Sequence, residues 1–123
     1  MGKITLLGPV FVRHYPSGYG NGQLEELWKQ AVADECRINW GERHLLKKPV
    51  SLKLKFYLSS KRDLDLTGML ETTVNGVANV IFPMAHQGGH KTKWHHEDRW
   101  VYTIEASKEF RDIDPGVEIV VQE

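Results

Sequence analysis

Along "PVSLKLKFYL", residues 49–58, apolar and polar side chains alternate without a break. Val50, Leu52, Leu54, Phe56 and Leu58 fall on one face, and Ser51, Lys53, Lys55 and Tyr57 on the other. A period of two is the signature of a strand with one face buried. "RWVYTIEA", 99–106, repeats it, with Trp100, Tyr102, Ile104 and Ala106 on one side. "DPG" at 114–116 is a turn signal, and "VEIVV" after it closes the chain as a last strand. Near the start, "KITLLG", 3–8, predicts a short strand ended by Gly8-Pro9.

Between these strands the period changes. In "QLEELWKQAVADECR" the apolar Leu24, Leu27, Trp28, Ala31 and Val32 recur at helical spacing, with acids opposite. Trp28 belongs to the core face of this helix, and Cys36 near its end is a packing residue. "LTGMLETTVNGVANVIF", 66–82, supports two readings. Leu66, Met69, Leu70, Val74, Val77, Ala78 and Ile81 fit one helical face, but Gly68, Gly76, three threonines and two asparagines are poor helix formers. "ETTV-NG-VANV" also fits a hairpin turning at Asn75-Gly76. The segments "RHYPSGYGNG", 13–22, and "PMAHQGGHKTKWHH", 83–96, are loops by composition.

A chain of 123 residues, 41% hydrophobic and 26% charged, suits one domain around one core, here residues 1–123. No apolar run is long enough to span a bilayer, and the N-terminus does not have the form of a signal peptide. One cysteine excludes an intramolecular disulfide and points to a reducing, cytoplasmic setting. Sixteen Lys+Arg balance sixteen Asp+Glu, which counts against nucleic-acid binding unless the charges separate in space. Along the chain they do separate. "RHLLKKPVSLKLKFYLSSKR" holds no acid, whereas "KEFRDIDPGVEIVVQE" is acidic, so a basic face opposite an acidic tail is expected.

The stretch "SSKRDLDL" sets Asp63 and Asp65 two apart, side by side on one face of an extended chain. Such a pair repels itself, and a divalent cation relieves the repulsion. Mg²⁺ is commonly held by one or two carboxylates with waters and substrate phosphate. An Asp before an amphipathic segment is equally a helix cap, and the spacing alone does not separate the two roles. "WHHEDRW" supplies Glu97 and Asp98 just before the strand at 99–106. If that strand lies beside 50–58, these acids approach the first pair.

The order strand, helix, alternating strand, Arg62-Asp63-Leu64-Asp65, amphipathic segment, Trp94 with Glu97-Asp98, strand, turn, strand resembles the RusA family of Holliday-junction resolvases. The likeness spans roughly residues 3 to 121 and is firmest over 50–121. It implies an α/β (α+β) domain of order β-α-β-α-β-β around a mixed sheet, with a helix over 66–80. It implies that Asp63, Asp65 and Asp98 are the catalytic, Mg²⁺-binding carboxylates; Glu97 beside Asp98 is a further candidate ligand, and Mn²⁺ an alternative ion. It also implies a homodimer that nicks a four-way junction symmetrically, in DNA recombination and repair. Two positions depart from the family pattern. Leu66 stands where the family has Asn, and Met69 where it has a catalytic lysine. A lysine there would stabilise charge developing on phosphate, so Lys61, Arg62, Lys91, Lys93 and Arg99 are the candidate replacements.

Lys53 and Lys55, on the polar face of their strand, are candidate DNA-phosphate contacts along with those five. Arg13, His14, Tyr15 and Tyr19 suit a loop that stacks on bases. His86, His90, His95 and His96 offer either a Zn²⁺ or Mn²⁺ site or a solvated loop, and the last two stand close enough in sequence to Glu97 for proton transfer. Two rival readings are a branched-DNA-binding protein with weakened or lost catalysis, and a small dimer whose acids only cap and turn.

Overall fold

The computed structural model describes residues 4–13, 22–58, 66–86, 94–96, 100–111 and 114–123. The elements run β1 (Thr5–Arg13), α1 (Gly22–Trp40), β2 (Val50–Leu58), α2 (Leu66–Ile81), β3 (Met84–His86), β4 (Trp94–His96), β5 (Val101–Phe110) and β6 (Gly116–Gln122). Apart from the short hairpin β3–β4, this is the β-α-β-α-β-β order expected from the sequence. Four strands form one mixed sheet in the order β1-β6-β2-β5, with β2 and β5 parallel and the other pairs antiparallel.

The alternation of β2 is realised in full. Val50, Leu52, Leu54, Phe56 and Leu58 are buried, while Lys53 and Lys55 are exposed. They pack with Val117, Ile119 and Val121 of β6, Val10 and Val12 of β1, and the apolar stripes of both helices in one core. In α1 that stripe is Trp28, Val32, Ala33, Cys36 and Trp40; Leu27, expected in it, is instead 62% exposed.

The segment with two readings is a helix. Met69, Val74, Val77, Ala78 and Ile81 of α2 are buried. Gly76, which made a hairpin turn plausible, serves the packing of α2 on α1. A Cβ built there would lie 2.8 Å from Cβ and Cγ1 of Val32 and 2.9 Å from the carbonyl oxygen of Lys29. The helix therefore keeps glycine at a weak position because the neighbouring helix fills that space.

Three strand boundaries differ from the sequence reading. β1 continues through Gly8-Pro9 to Arg13, since proline is tolerated on an edge strand and at a bulge, and the register with β6 shifts between Leu7 and Val10. β5 runs on to Phe110. The segment 83–96 contains a two-stranded ladder, pairing Met84 with His96 and His86 with Trp94. Among the described residues, no helix is long and apolar enough to cross a membrane.

Candidate functional site

The two acidic motifs attach to a single β-α-β crossover. β2 ends at Leu58 and α2 begins at Leu66, so the segment carrying Lys61, Arg62, Asp63 and Asp65 joins them. The segment carrying Glu97, Asp98 and Arg99 joins β4 to Trp100 and β5. These seven residues, like Lys91 and Lys93, His14, Tyr15 and Tyr19, and His90, lie outside the described residues. What the structure defines is where their segments are attached.

As the sequence reading required, β5 lies beside β2. The two are parallel, with Val50 opposite Val101 and Leu58 opposite Phe110. α2 returns between them: its last carbonyl, on Ile81, accepts from the N–H of Leu46 (2.7 Å), just before β2 begins. The N–H of Val50 donates to the carbonyl of Trp100 at 2.8 Å. Hence the 59–65 segment leaves the Leu58 end of the sheet, whereas the 97–99 segment enters at the Val50 end. The 16 residues of α2 separate those ends by about 24 Å. Strand direction is invisible in an alternation pattern, and for that reason the sequence did not reveal this separation.

At the Leu58 end, the open face of the sheet carries a cluster that sequence reading missed. The guanidinium of Arg111 lies 3.6 Å from the ring centroid of Tyr57 and 5.5 Å from that of Phe11. Arg13 lies 5.7 Å from Phe11, and the two rings are 6.2 Å apart. Arg111 donates from Nη2 to the carbonyl of Asp114 at 2.7 Å, and Arg13 Nη1 donates to the Asp114 carboxylate at 2.6 Å. Gly116 makes room for this stack, because a Cβ there would meet Phe11 Cζ at 2.8 Å. The signal was faint, since these residues come from three strand ends far apart in sequence. A guanidinium matches phosphate geometry, and of the two here Arg13 is ion-paired with the Asp114 carboxylate while Arg111 is held through a backbone carbonyl.

Lys53 and Lys55 do lie on the open face, but their surroundings are not basic. Lys53 stands opposite Glu105, and Lys55 opposite Glu118. Lys55 Nζ is 3.5 Å from Glu109 Oε2 and 5.4 Å from the Tyr57 ring centroid. Tyr57, and then Glu109, raise the Lys55 ammonium above its ordinary range. The basic run and the acidic tail, separate in sequence, are thus hydrogen-bonded neighbours as β2 and β6. The expected basic face opposite an acidic tail does not form on this sheet.

Met69, which the resemblance sets where a lysine would stand, is fully buried in the core. Among the described residues, no group of three or more His, Cys, Asp or Glu is placed to hold a metal. The chemistry of the donor set expected from sequence, carboxylates alone, is that of a Mg²⁺ site. No family model, no curated protein and no solved structure matches this chain.

Proposed function

We propose that this chain is a Mg²⁺-dependent endonuclease of RusA type that nicks branched DNA as a homodimer, resolving four-way junctions in recombination and repair. The observation that carries the reading is the crossover itself. An alternating strand, an acidic pair leading into a helix over 66–81, and a second acidic pair leading into the adjacent strand occur in the order that the resemblance requires. The helical form of 66–81 supports it further, because residue propensities alone left a hairpin open.

In this reading Asp63, Asp65 and Asp98, with Glu97, would hold Mg²⁺, or Mn²⁺ in its place; since their segments attach about 24 Å apart within one chain, the ion would be held between the two protomers of the homodimer. The bound ion would polarise the scissile phosphate and make water a better nucleophile. Arg13 and Arg111, fixed by Asp114 beside the exit of the 59–65 segment, hold the DNA backbone. Lys61, Arg62, Lys91, Lys93 and Arg99 supply further backbone contacts.

A second reading is a junction-binding protein without cleavage, and the buried Met69 favours it. Incubating the protein with a labelled four-way junction and Mg²⁺ or Mn²⁺, beside a linear duplex and the Asp65→Asn variant, separates the two. Paired symmetric nicks in the junction, absent from the variant, are expected. Tight junction binding with no nicks under either metal selects the second reading, and no preference for the junction over duplex removes both.

A further inference from the structure

The helices pack on one face of the sheet, and the opposite face holds a flat cation in a fixed pose. Tyr57 of β2 stands beside Gly116 of β6, and Gly116 beside Arg13 of β1. Arg111, the first residue after β5, reaches over this row; its N–H donates to the carbonyl of Leu58, the last residue of β2. Its guanidinium lies 3.6 Å from the Tyr57 ring centroid, a stacking distance, and 5.5 Å from that of Phe11, while the two rings are 6.2 Å apart. These three distances make nearly a right angle at the guanidinium. Phe11 therefore borders the edge of the cation, and neither ring covers the face opposite Tyr57.

Two hydrogen bonds fix the plane. Arg111 Nε and Nη2 both donate to the carbonyl of Asp114, at 3.2 and 2.7 Å. The turn itself aims that carbonyl: Asp114 holds φ at 51°, a left-handed conformation that aspartate tolerates better than most residues. The Asp114 carboxylate meanwhile holds Arg13 Nη1 at 2.6 Å. Nη1 of Arg111 and Nη2 of Arg13 have no partner among the described residues. The entropy of ordering the Arg111 side chain is thus already lost on folding, and a flat ligand meets a surface that need not rearrange.

We propose that the face of the Arg111 guanidinium opposite Tyr57 stacks on an unpaired base of DNA, with Arg13 against the phosphate beside it. Guanidinium planes and aromatic rings are the surfaces on which proteins stack splayed bases. A base inside a duplex has both faces covered by its neighbours and offers only its edges in the grooves, so this site is silent towards linear duplex. Farther along the same sheet face, Glu105 and Glu118 stand opposite the lysines of β2, and Glu109 opposite Tyr57. The contact is therefore one base and its flanking phosphates, not a long groove. The inference rests on the branched-DNA reading and deepens it: strands that part at a branch point present unstacked bases, and stacking on Arg111 would select such DNA over a continuous helix.

Fluorescence anisotropy on the full chain, at low salt and in EDTA so that no metal-dependent cleavage intervenes, tests the site with two labelled probes. One is a short oligothymidine strand, and the other a strand of equal length and charge whose central residues are abasic. The parent should bind the thymidine strand about tenfold more tightly than the abasic one. Arg111→Lys keeps the charge and loses the plane. It should abolish that difference while leaving affinity for the abasic strand unchanged, and Tyr57→Leu, which removes the support beneath the plane, should act alike with unaltered circular dichroism. A parent that binds neither strand, or both equally, overturns the proposal without recourse to any variant, and so does an Arg111→Lys chain that still distinguishes them tenfold. Junction nicking with Mg²⁺ or Mn²⁺ is read separately. Nicking by a protein that ignores the missing bases overturns this site and leaves the nuclease reading standing; discrimination between the strands without nicking supports the site and removes the nuclease.

Discussion

Thr73 is the one buried polar residue among those described, and it joins the two helices. Its hydroxyl donates to the carbonyl of Met69 at 2.7 Å and accepts from Trp28 Nε1 at 3.0 Å. Thr73→Val keeps the shape and removes the acceptor from a buried indole N–H, which costs about 2 kcal/mol. Thr73→Ser keeps the hydroxyl and loses one methyl, costing about 1 kcal/mol. Urea unfolding of the two variants should rank them in that order; the reverse rank would make the methyl contact, not the hydrogen bond, what joins the helices here. Cys36 gives a second prediction at this scale. Burial, and secondarily Glu35, push its thiol from an ordinary 9.0 up to about 12. The native thiol should therefore resist disulfide reagents at neutral pH. Because the folded value is the higher one, the associated stability is fully present below about pH 9. It declines by about 1.4 kcal/mol per pH unit as the unfolded chain alone gives up its proton, until pH reaches about 12. Urea midpoints at pH 8 and pH 10 should fall further for the parent than for Cys36→Ala.

For the elements, hydrophobic period was the dependable guide, and its one ambiguity has a physical cause. β2 was legible because both of its neighbours are in place and its apolar face is fully covered. β5 carries the same alternation, but the helices do not reach it, so Tyr102 and Ile104 are exposed where the pattern predicted a core face. α2 looked half like a hairpin because tertiary contact, not local preference, chose Gly76. This argument predicts opposite outcomes for two adjacent substitutions. Gly76→Ala gains about 1 kcal/mol of helix propensity but forces a methyl against Val32 and the Lys29 carbonyl, at about 1–3 kcal/mol. Asn75→Ala, half-buried and off that contact, should gain about 0.5 kcal/mol. Thermal unfolding should show a lower midpoint for the first and a higher one for the second. A raised midpoint for Gly76→Ala would mean that the helices can move apart there without loss. The candidate site was legible as two acidic motifs and their order. Its geometry was not, because neither strand direction nor the ends of a crossover are written in a period of two.

Over the whole molecule, zero net charge leaves DNA affinity to the local arrangement of charges. On the open face Lys53 and Lys55 are interleaved with Glu105, Glu109 and Glu118, and Lys55 is already engaged by Glu109. A lysine held by a glutamate releases fewer counterions on meeting phosphate than a free one, so under the proposed reading this face would contribute little DNA affinity. The guanidiniums of Arg13 and Arg111 differ, because Asp114 holds one through its carboxylate and the other through its backbone carbonyl. Arg111 therefore keeps its charge uncompensated by that contact. Arg111→Ala should weaken junction binding and lower the dependence of log affinity on log salt by about one. Glu109→Gln, which releases Lys55, should strengthen binding at low salt and steepen that dependence. Fluorescence anisotropy of a labelled junction across a salt series reads both effects. If Arg111→Ala leaves slope and affinity unchanged while Glu109→Gln raises both, the DNA crosses the middle of the sheet and not its Leu58 end. If neither variant changes binding, the backbone contacts lie off this face of the sheet.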